Sequence, residues 1–275
     1  MSKLEQDDPG LEIRVRKRRP LRPPFAPPRT LREVVRGGAF AHPERSVVLE
    51  GCRYERVSFA KVPFDYFGSL RSTFEGCDFT GSRLRGSLGL GVVDSVYRDC
   101  RFDKCDMRGI YPGPGHARFE RCTFEDVRFR TFLAHHAEFV DCVFAGKMKG
   151  VTFWGHGLSD AEERYRNEFR GNDFTRAMLQ DVDFVGGIDL RAQKLPRELG
   201  PEYVLLDRWP ERAALARAEI LRWPDLDERQ DALELLEFYG DAPHAEQEQL
   251  LAIRDLLPFI PKSVSHRVWD LLERC

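Results

Sequence analysis

Large apolar residues recur at every fifth position through the middle of the chain, from about residue 47 to residue 190. Most of them are Phe, and a small residue such as Cys, Val, Ala or Ser stands two positions before each. An α-helix repeats every 3.6 residues and a β-strand every 2, so neither element explains a spacing of five. The pattern predicts a solenoid in which the chain turns a corner after each five-residue unit and each coil packs only on its neighbours.

The two columns of large and small residues supply the predicted core. The other positions of each unit are rich in Arg, Asp, Glu, Thr, Gly and Lys, and we expect them to face water. Six of the seven cysteines fall in the small column, where a free thiol packs as a compact hydrophobe. The predicted core columns contain Cys52, Tyr54, Phe59, Phe64, Phe74, Cys77, Phe79, Cys100, Phe102, Cys105, Phe119, Cys122, Phe124, Phe129, Phe139, Cys142, Phe144, Phe169, Phe174 and Phe184.

Segments such as Phe74-Glu-Gly-Cys77-Asp-Phe79 and Phe119-Glu-Arg-Cys122-Thr-Phe124 resemble the repeats of pentapeptide repeat proteins. The resemblance covers about residues 47–190, roughly half of the chain. It implies a mainly β fold, a right-handed quadrilateral β-helix, to which the sequence adds a C-terminal α-helical module.

The five-residue pattern is interrupted at about 85–96, 109–116 and 154–166, where we expect loops to leave the coil. In the last of these, Ser159 and Glu162 form a capping box that predicts a short projecting helix. His156, Asp160 and Glu163 are candidate partner-binding residues there, and a general acid–base pair is the less favoured interpretation. His135 and His136 are adjacent, so we expect exposed imidazoles that point in different directions.

The segments before the repeats differ from them in composition. Residues 1–29 are rich in Arg and Pro and predict an extended or disordered basic arm. Residues 30–46 are predicted to be an N-terminal cap, with a short helix from Thr30 to Gly37. The candidate binding residues of the arm, for phosphates or an acidic partner, are Arg14, Arg16, Lys17, Arg18 and Arg19.

Residues 191–206 are predicted to be a linker, and helical patterns follow in residues 207–275. Apolar positions at helical spacing predict four helices, near 210–223, 227–239, 243–257 and 264–274. This module could cover the last coil, form a homodimer or bind another protein, and the sequence does not rank the last two.

Composition narrows the classes of function. The chain has 43 basic and 45 acidic residues, a net charge of −2, which argues against a general nucleic-acid binder, so we expect nucleic-acid contact only through the basic arm. No apolar run is long enough to span a membrane, and the first residues lack the apolar segment of a signal peptide. We therefore expect a cytoplasmic protein, and the composition is compatible with a bacterial source.

Catalytic and metal-binding patterns are not found in the sequence. It contains no G-x-S-x-G, Walker A, H-E-x-x-H or Rossmann fingerprint, so we predict no catalytic residue, no cofactor and no enzyme activity. Cys100 and Cys105 have no second pair at zinc spacing, so we predict no metal site.

The sequence favours a non-catalytic protein–protein interaction scaffold built on the repeat rod. The resemblance implies an alternative, because some pentapeptide repeat proteins mimic a DNA duplex, bind type II topoisomerases such as gyrase and protect them from quinolones or toxins. Duplex mimicry needs a continuous acidic face. Residues 47–190 carry 20 basic and 22 acidic residues, a net charge of only −2, and Arg53, Arg101 and Arg118 stand at outward positions.

Overall fold

The computed structural model describes residues 28–87, 89–111, 113–156 and 166–275. The candidate residues Arg14, Arg16, Lys17, Arg18, Arg19, Asp160 and Glu163, with the helix predicted near Ser159, lie outside these ranges. In the described part of the chain, no helix is long and apolar enough to cross a membrane.

Short parallel strands stacked on one another form the rod. Their bounds are β1 (Arg29–Leu31), β2 (Val34–Arg36), β3 (Ser46–Glu50), β4 (Arg53–Glu55), β5 (Tyr66–Leu70), β6 (Thr73–Glu75), β7 (Arg83–Gly86), β8 (Ser95–Arg98), β9 (Asp106–Ile110), β10 (Ala117–Glu120), β11 (Thr123–Glu125), β12 (Phe132–Ala134), β13 (Glu138–Val140), β14 (Val143–Trp154), β15 (Phe169–Arg170) and β16 (Asp173–Val185). Successive coils lie in parallel register, so the fold is a parallel β-solenoid of about six turns, as the repeat predicted.

The coil has four sides, here called faces A to D. Face A begins with β1, β3 and β5, and face B is the seven-stranded sheet β2-β4-β6-β8-β10-β13-β15. Face C contains β11 and the first residues of β14 and β16. Face D contains residues 83–86, 106–110, 127–131 and 147–150, including the paired strands β7 and β9, and it is flanked by Pro63, which bridges to Arg83, and by residues 177–180 of β16.

The corners between faces depend on residues in the left-handed backbone region. Gly76 has φ +60° at one corner after face B, and Arg121 has φ +52° at an equivalent corner two coils later. Glycine adopts this region without the steric cost that a Cβ atom brings, which explains why Gly recurs at this position of the repeat. Where a non-glycine residue occupies such a corner, the packing of the coil around it offsets this steric cost.

Two columns of aromatic rings fill the rod. On face B, Phe74 stacks on Tyr97 with ring centroids 4.5 Å apart and an interplanar angle of 1°. On face C, Phe102 stacks on Phe124 at 5.1 Å and 4°. Rings of the two columns meet edge to face, as between Phe119 and Phe124 at 5.4 Å and 77°, the geometry that the aromatic quadrupole favours. Of the twenty predicted core residues, all are buried except Phe129, which is half-buried.

The thiols of the small column hydrogen-bond to the preceding coil. The Cys105 thiol donates to the Phe79 carbonyl at 2.9 Å, and the Cys77 thiol donates to the Tyr54 carbonyl at 3.5 Å. Burial raises the pKa of the Cys52 and Cys105 thiols, which stay protonated donors. The cysteines are all free, and all but Cys275 are buried.

The segment before the repeats corrects one prediction. The helix expected from Thr30 to Gly37 is wrong, because this stretch forms β1 and β2, which pair with β3 and β4 of the next coil. The Phe40 ring stacks on Phe59 at 4.9 Å. A capping box is a local signal, and here the hydrogen bonds offered by the adjacent coil outweigh it.

Two of the three interruptions stay within the coil instead of leaving it as loops. Leu90 is fully buried, and its carbonyl accepts a hydrogen bond from the Tyr97 hydroxyl at 2.9 Å. A Cβ atom on Gly113 would lie 1.9 Å from the Leu133 carbonyl oxygen, and one on Gly115 would lie 2.2 Å from that of Gly91. The glycines of these breaks therefore allow an irregular backbone to stack closely on the coils beside it.

The C-terminal module is a mixed α/β unit rather than an all-helical one. It contains β17 (Tyr203–Leu206), α1 (Trp209–Ile220), α2 (Leu226–Tyr239), α3 (Ala242–Ala245), β18 (Leu250–Ile253) and α4 (Lys262–Arg274). The helix predicted near 243–257 is wrong: the four-residue α3 and the strand β18 replace it, and β18 pairs antiparallel with β17. A short apolar run such as Leu250–Ile253 fits a buried strand as well as a helix.

Exchanging Phe124 for Ala should cost about 3–5 kcal/mol of unfolding free energy, because a buried ring is lost from the stack and a cavity remains. Arg121→Ala, in which the exposed ion pair to Asp99 is lost, should cost within about 1 kcal/mol. Urea denaturation of both variants gives these values. Equal losses would contradict the assignment of inward and outward positions.

Candidate interaction surfaces

The outward positions of face B carry a continuous network of ion pairs. The Arg118 guanidinium lies 2.5 Å from Glu120, 2.6 Å from Glu138 and 2.7 Å from Glu168, so one arginine joins three coils. The Glu120 carboxylate also accepts from Arg98 at 2.7 Å. The acidic residues of this face, each with an arginine within 4.0 Å, are Glu55, Glu75, Asp99, Glu120, Glu138, Asp141 and Glu168.

The electrostatics of face B follow from this pairing. Burial alone would raise the pKa of the Glu120 carboxyl, but the hydrogen bonds from Arg118 and Arg98 outweigh it and lower that pKa. The hydrogen bond from Arg118 likewise lowers the pKa of Glu168. The negative charge of these carboxylates is compensated by arginines within the face, so face B does not present a continuous acidic stripe.

Three histidines come together where the interrupted coils stack. His116 and His136 stack with ring centroids 4.5 Å apart, and His135 packs edge-on to Trp154 at 4.8 Å. They line a cavity of about 260 Å³ with Ser87. Because His135 and His136 are half-buried, the expectation of exposed imidazoles is wrong, although their rings do differ in direction by 76°. The positions of the glycine-rich breaks, which sequence periodicity does not specify, produce this cluster.

Burial lowers the pKa of His135 and His136, with a further lowering from neighbouring imidazoles. In the described part of the chain, the Nδ1 atom of His136 is buried without a hydrogen-bond partner. No group of three or more His, Cys, Asp or Glu side chains among the described residues has a geometry that could hold a metal ion. Burial thus favours the neutral form of His135 and His136.

His156 lies at the joint between the rod and the C-terminal module. Its Nε2 atom is 2.8 Å from Oε2 of Glu246, and its side chain is buried. The sequence placed His156 near Asp160 and Glu163, and the described partner instead comes from ninety residues further along the chain. This contact forms because the module packs against the last coil, so the local sequence pattern did not predict it.

Two glutamines complete this joint. The fully buried Gln247 side chain donates to the Phe184 carbonyl of the last coil, and Gln249 Oε1 accepts from the Arg191 backbone N–H at 3.0 Å. Tyr203 and Leu251, one from each strand of the module's sheet, belong to the same apolar cluster as the rod. Strand β17 lies within the segment predicted to be a linker, and it fastens the module to the last coil.

The module also has an exposed groove between α1 and α4 with a volume of about 580 Å³. Leu215, which is half exposed, and Leu271 supply apolar walls, and the Arg267 guanidinium lies 3.7 Å over the Trp223 ring. Arg222 and Arg274 add positive charge to its lining, which also contains Glu219, paired with Arg222 at 3.2 Å. An apolar groove with a basic rim suits an amphipathic, acidic helix.

The comparisons with known proteins concern the rod. No family model matches the chain, and no curated protein matches it. Among solved structures, the similar chains are pentapeptide repeat proteins. One is a trypsin-treated variant of QnrB1, a plasmid-mediated fluoroquinolone resistance protein: it is 14% identical, has a TM-score of 0.29, and the match covers 60% of this chain and 89% of that one.

A second is HetL, a pentapeptide repeat protein involved in the regulation of heterocyst differentiation in the cyanobacterium Nostoc sp. strain PCC 7120. It is 12% identical with a TM-score of 0.31, and the match covers 61% of this chain and 90% of that one. Similarity at this level does not extend to a partner or an activity.

Acid should destabilise the protein through the histidine cluster. A histidine whose folded pKa is depressed contributes stability that is complete above its unfolded pKa of about 6.5 and is lost as the pH falls below it. We therefore expect the urea midpoint to drop between about pH 7.5 and about pH 5.5. This range lies above the pH values at which carboxyl groups with lowered pKa values take up protons. The double variant His135→Gln/His136→Gln should show a smaller drop, and a drop as large as in the wild type would contradict this origin.

Proposed function

We propose that the protein is a non-catalytic interaction scaffold in which a rigid repeat rod carries a C-terminal module for protein–protein contact. The rigid joint between the two supports this proposal most directly. Gln247, Gln249 and His156 tie the module to the last coil, and the rod and the module's sheet share one apolar cluster. A partner on the module would therefore be held at a fixed distance and orientation from every face of the rod.

The groove between α1 and α4 supports protein contact, and a second copy of the chain is the partner whose chemistry it fits. Helix α2 has an acidic exposed side with Asp227, Asp231, Glu234 and Glu237, and the groove offers apolar walls with Arg222 and Arg274. Opposite charges at the rim and an apolar floor favour a symmetric contact of α2 with the groove of the other copy. We propose a homodimer formed in this way.

Light scattering coupled to size exclusion tests the homodimer. The wild type should have twice the chain mass of 31.8 kDa, and Leu215→Glu should return it to the mass of one chain, because a charge would be placed on the apolar wall. Met178→Glu is the matched control, since Met178 is 64% exposed on the rod and lies outside the groove. A monomeric wild type, or an equal effect of the two variants, would rule out this contact.

Duplex mimicry is the alternative function, proposed from the family resemblance and from the rod shape. The ion pairs of face B weigh against it, because mimicry of a duplex needs unpaired negative charge along a face. We therefore expect supercoiling by purified gyrase to be unchanged when the protein is titrated in, with or without a quinolone. Inhibition of supercoiling, or protection from the drug, would assign topoisomerase binding to the rod and overturn this expectation.

A further inference from the structure

Face D, one side of the same rod, carries a set of cations that other side chains do not neutralise. Its four segments contain seven basic residues and a single acidic residue, Asp106. The basic residues are Arg83, Arg85, Arg108, Arg128, Arg130, Lys147 and Lys149. Near the ends of the face, Asp65 pairs with Arg83 at 3.3 Å and Asp181 lies at the corner after the last coil.

The cations of face D differ from those of face B in their pairing. Arg108 forms an ion pair with Asp106 at 2.8 Å, and Arg83 forms one with Asp65. Among the described residues, no ion pair is formed by Arg85, Arg128, Arg130, Lys147 or Lys149, and all five are exposed. Five uncompensated positive charges on adjacent coils therefore meet solvent on one side of a chain whose net charge is −2.

The backbone stacks these charges on successive coils, with one β-bulge between Arg83 and Arg85. Residues 83 and 106 pair in register, and Asp106 pairs with Arg128 on the next coil. Neighbouring coils of a parallel sheet are about 4.8 Å apart, and two outward residues separated by one inward residue lie about 7 Å apart along the strand. Arg108, Arg128, Lys147 and Lys149 line one shallow groove of about 290 Å³, with Asp126 at its edge.

We propose that face D binds the phosphate backbone of double-stranded nucleic acid without reading its sequence. Phosphates carry regularly spaced negative charges, and basic side chains that neutralise them release condensed counterions, which drives binding. The outward positions of face D include no aromatic side chain, whereas single-strand binding depends on aromatic platforms for the bases.

This proposal goes beyond the scaffold function, and it places nucleic-acid contact on the rod as well as allowing it through the N-terminal arm. Contacts with about five phosphates predict that the logarithm of the binding constant falls with the logarithm of salt concentration with a slope of about −4 to −5. Sequence should have little effect on affinity, because phosphate contacts carry no base information.

Fluorescence anisotropy with a labelled duplex, over a series of salt concentrations, measures this slope. The triple variant Arg128→Gln/Lys147→Gln/Lys149→Gln should weaken binding at low salt and reduce the slope by about 3, one unit for each lost phosphate contact. The matched control is Arg36→Gln/Arg56→Gln/Arg71→Gln, which removes the same charge from exposed positions on or beside face B, away from face D. The control should keep the wild-type slope, and circular dichroism should show that both variants are folded.

The arm is separated from face D by a third full-length variant, in which Arg14, Arg16, Lys17, Arg18 and Arg19 are all replaced by Gln. This variant should still bind the duplex, and adding the face D substitutions to it should abolish binding. If the arm variant alone abolishes binding and the face D variant binds like the wild type, the arm is the site and the proposal is wrong. Equal losses in the face D variant and in its control would also overturn it.

Competition identifies the class of polyanion. Duplex DNA and duplex RNA should both compete with the labelled probe, and the weaker competitor shows which backbone geometry fits less well. Single-stranded DNA and polyglutamate should compete poorly at equal charge concentration. Competition by polyglutamate as strong as by a duplex would show that an acidic protein surface is the ligand, and absence of duplex binding at low salt would rule out the proposal.

Discussion

The in-register stacking of aromatic rings between successive coils is the interaction on which the rest of the structure depends. Rings of the face B and face C columns lie nearly parallel to the ring of the next coil, as between Phe74 and Tyr97 at 4.5 Å, except at the end of face B, where Phe139 and Phe169 meet at 67°. The backbone ladder fixes the same register, so stacking and hydrogen bonding reinforce each other. A slip of one residue would lose both at once, and the coils therefore have a single alignment.

That alignment also turns the outward residues into fixed lattices of charge. On face B, arginines pair with carboxylates of the same coil and of neighbouring coils, and Arg118 alone contacts three glutamates. On face D, basic residues follow basic residues from one coil to the next, as with Arg128 and Lys147 in one groove. The net charge of −2 therefore describes neither face: face B is compensated within itself and face D is not, so the two interact very differently with a charged partner.

The module and the rod form one body with surfaces of different chemistry. The exposed groove with Leu215 is apolar with a basic rim and suits a protein helix, whereas face D suits a polyanion. Because Gln247 and Gln249 anchor the module to the last coil, the two surfaces keep a constant relation. An assembly built on such a body would hold a protein contact and a nucleic-acid contact in fixed geometry, which a flexible linker would not provide.

The rod is encoded in the local pattern of the chain, because a period of five in buried residues such as Phe119 and Phe124 is incompatible with a helix or an isolated strand. That pattern did not determine the ends and the breaks. The capping box at Thr30 and the apolar run at Leu250 are local signals, and each became a strand because another strand was available to pair with it.

The partners of surface charges likewise depend on which coil lies above which. The stacking of the coils and the packing of the module place arginines beside the carboxylates of face B and Glu246 beside His156. The same stacking leaves Lys147 and Lys149 without an ion pair among the described residues. These are contacts between residues distant in the chain, and no sequence period encodes them.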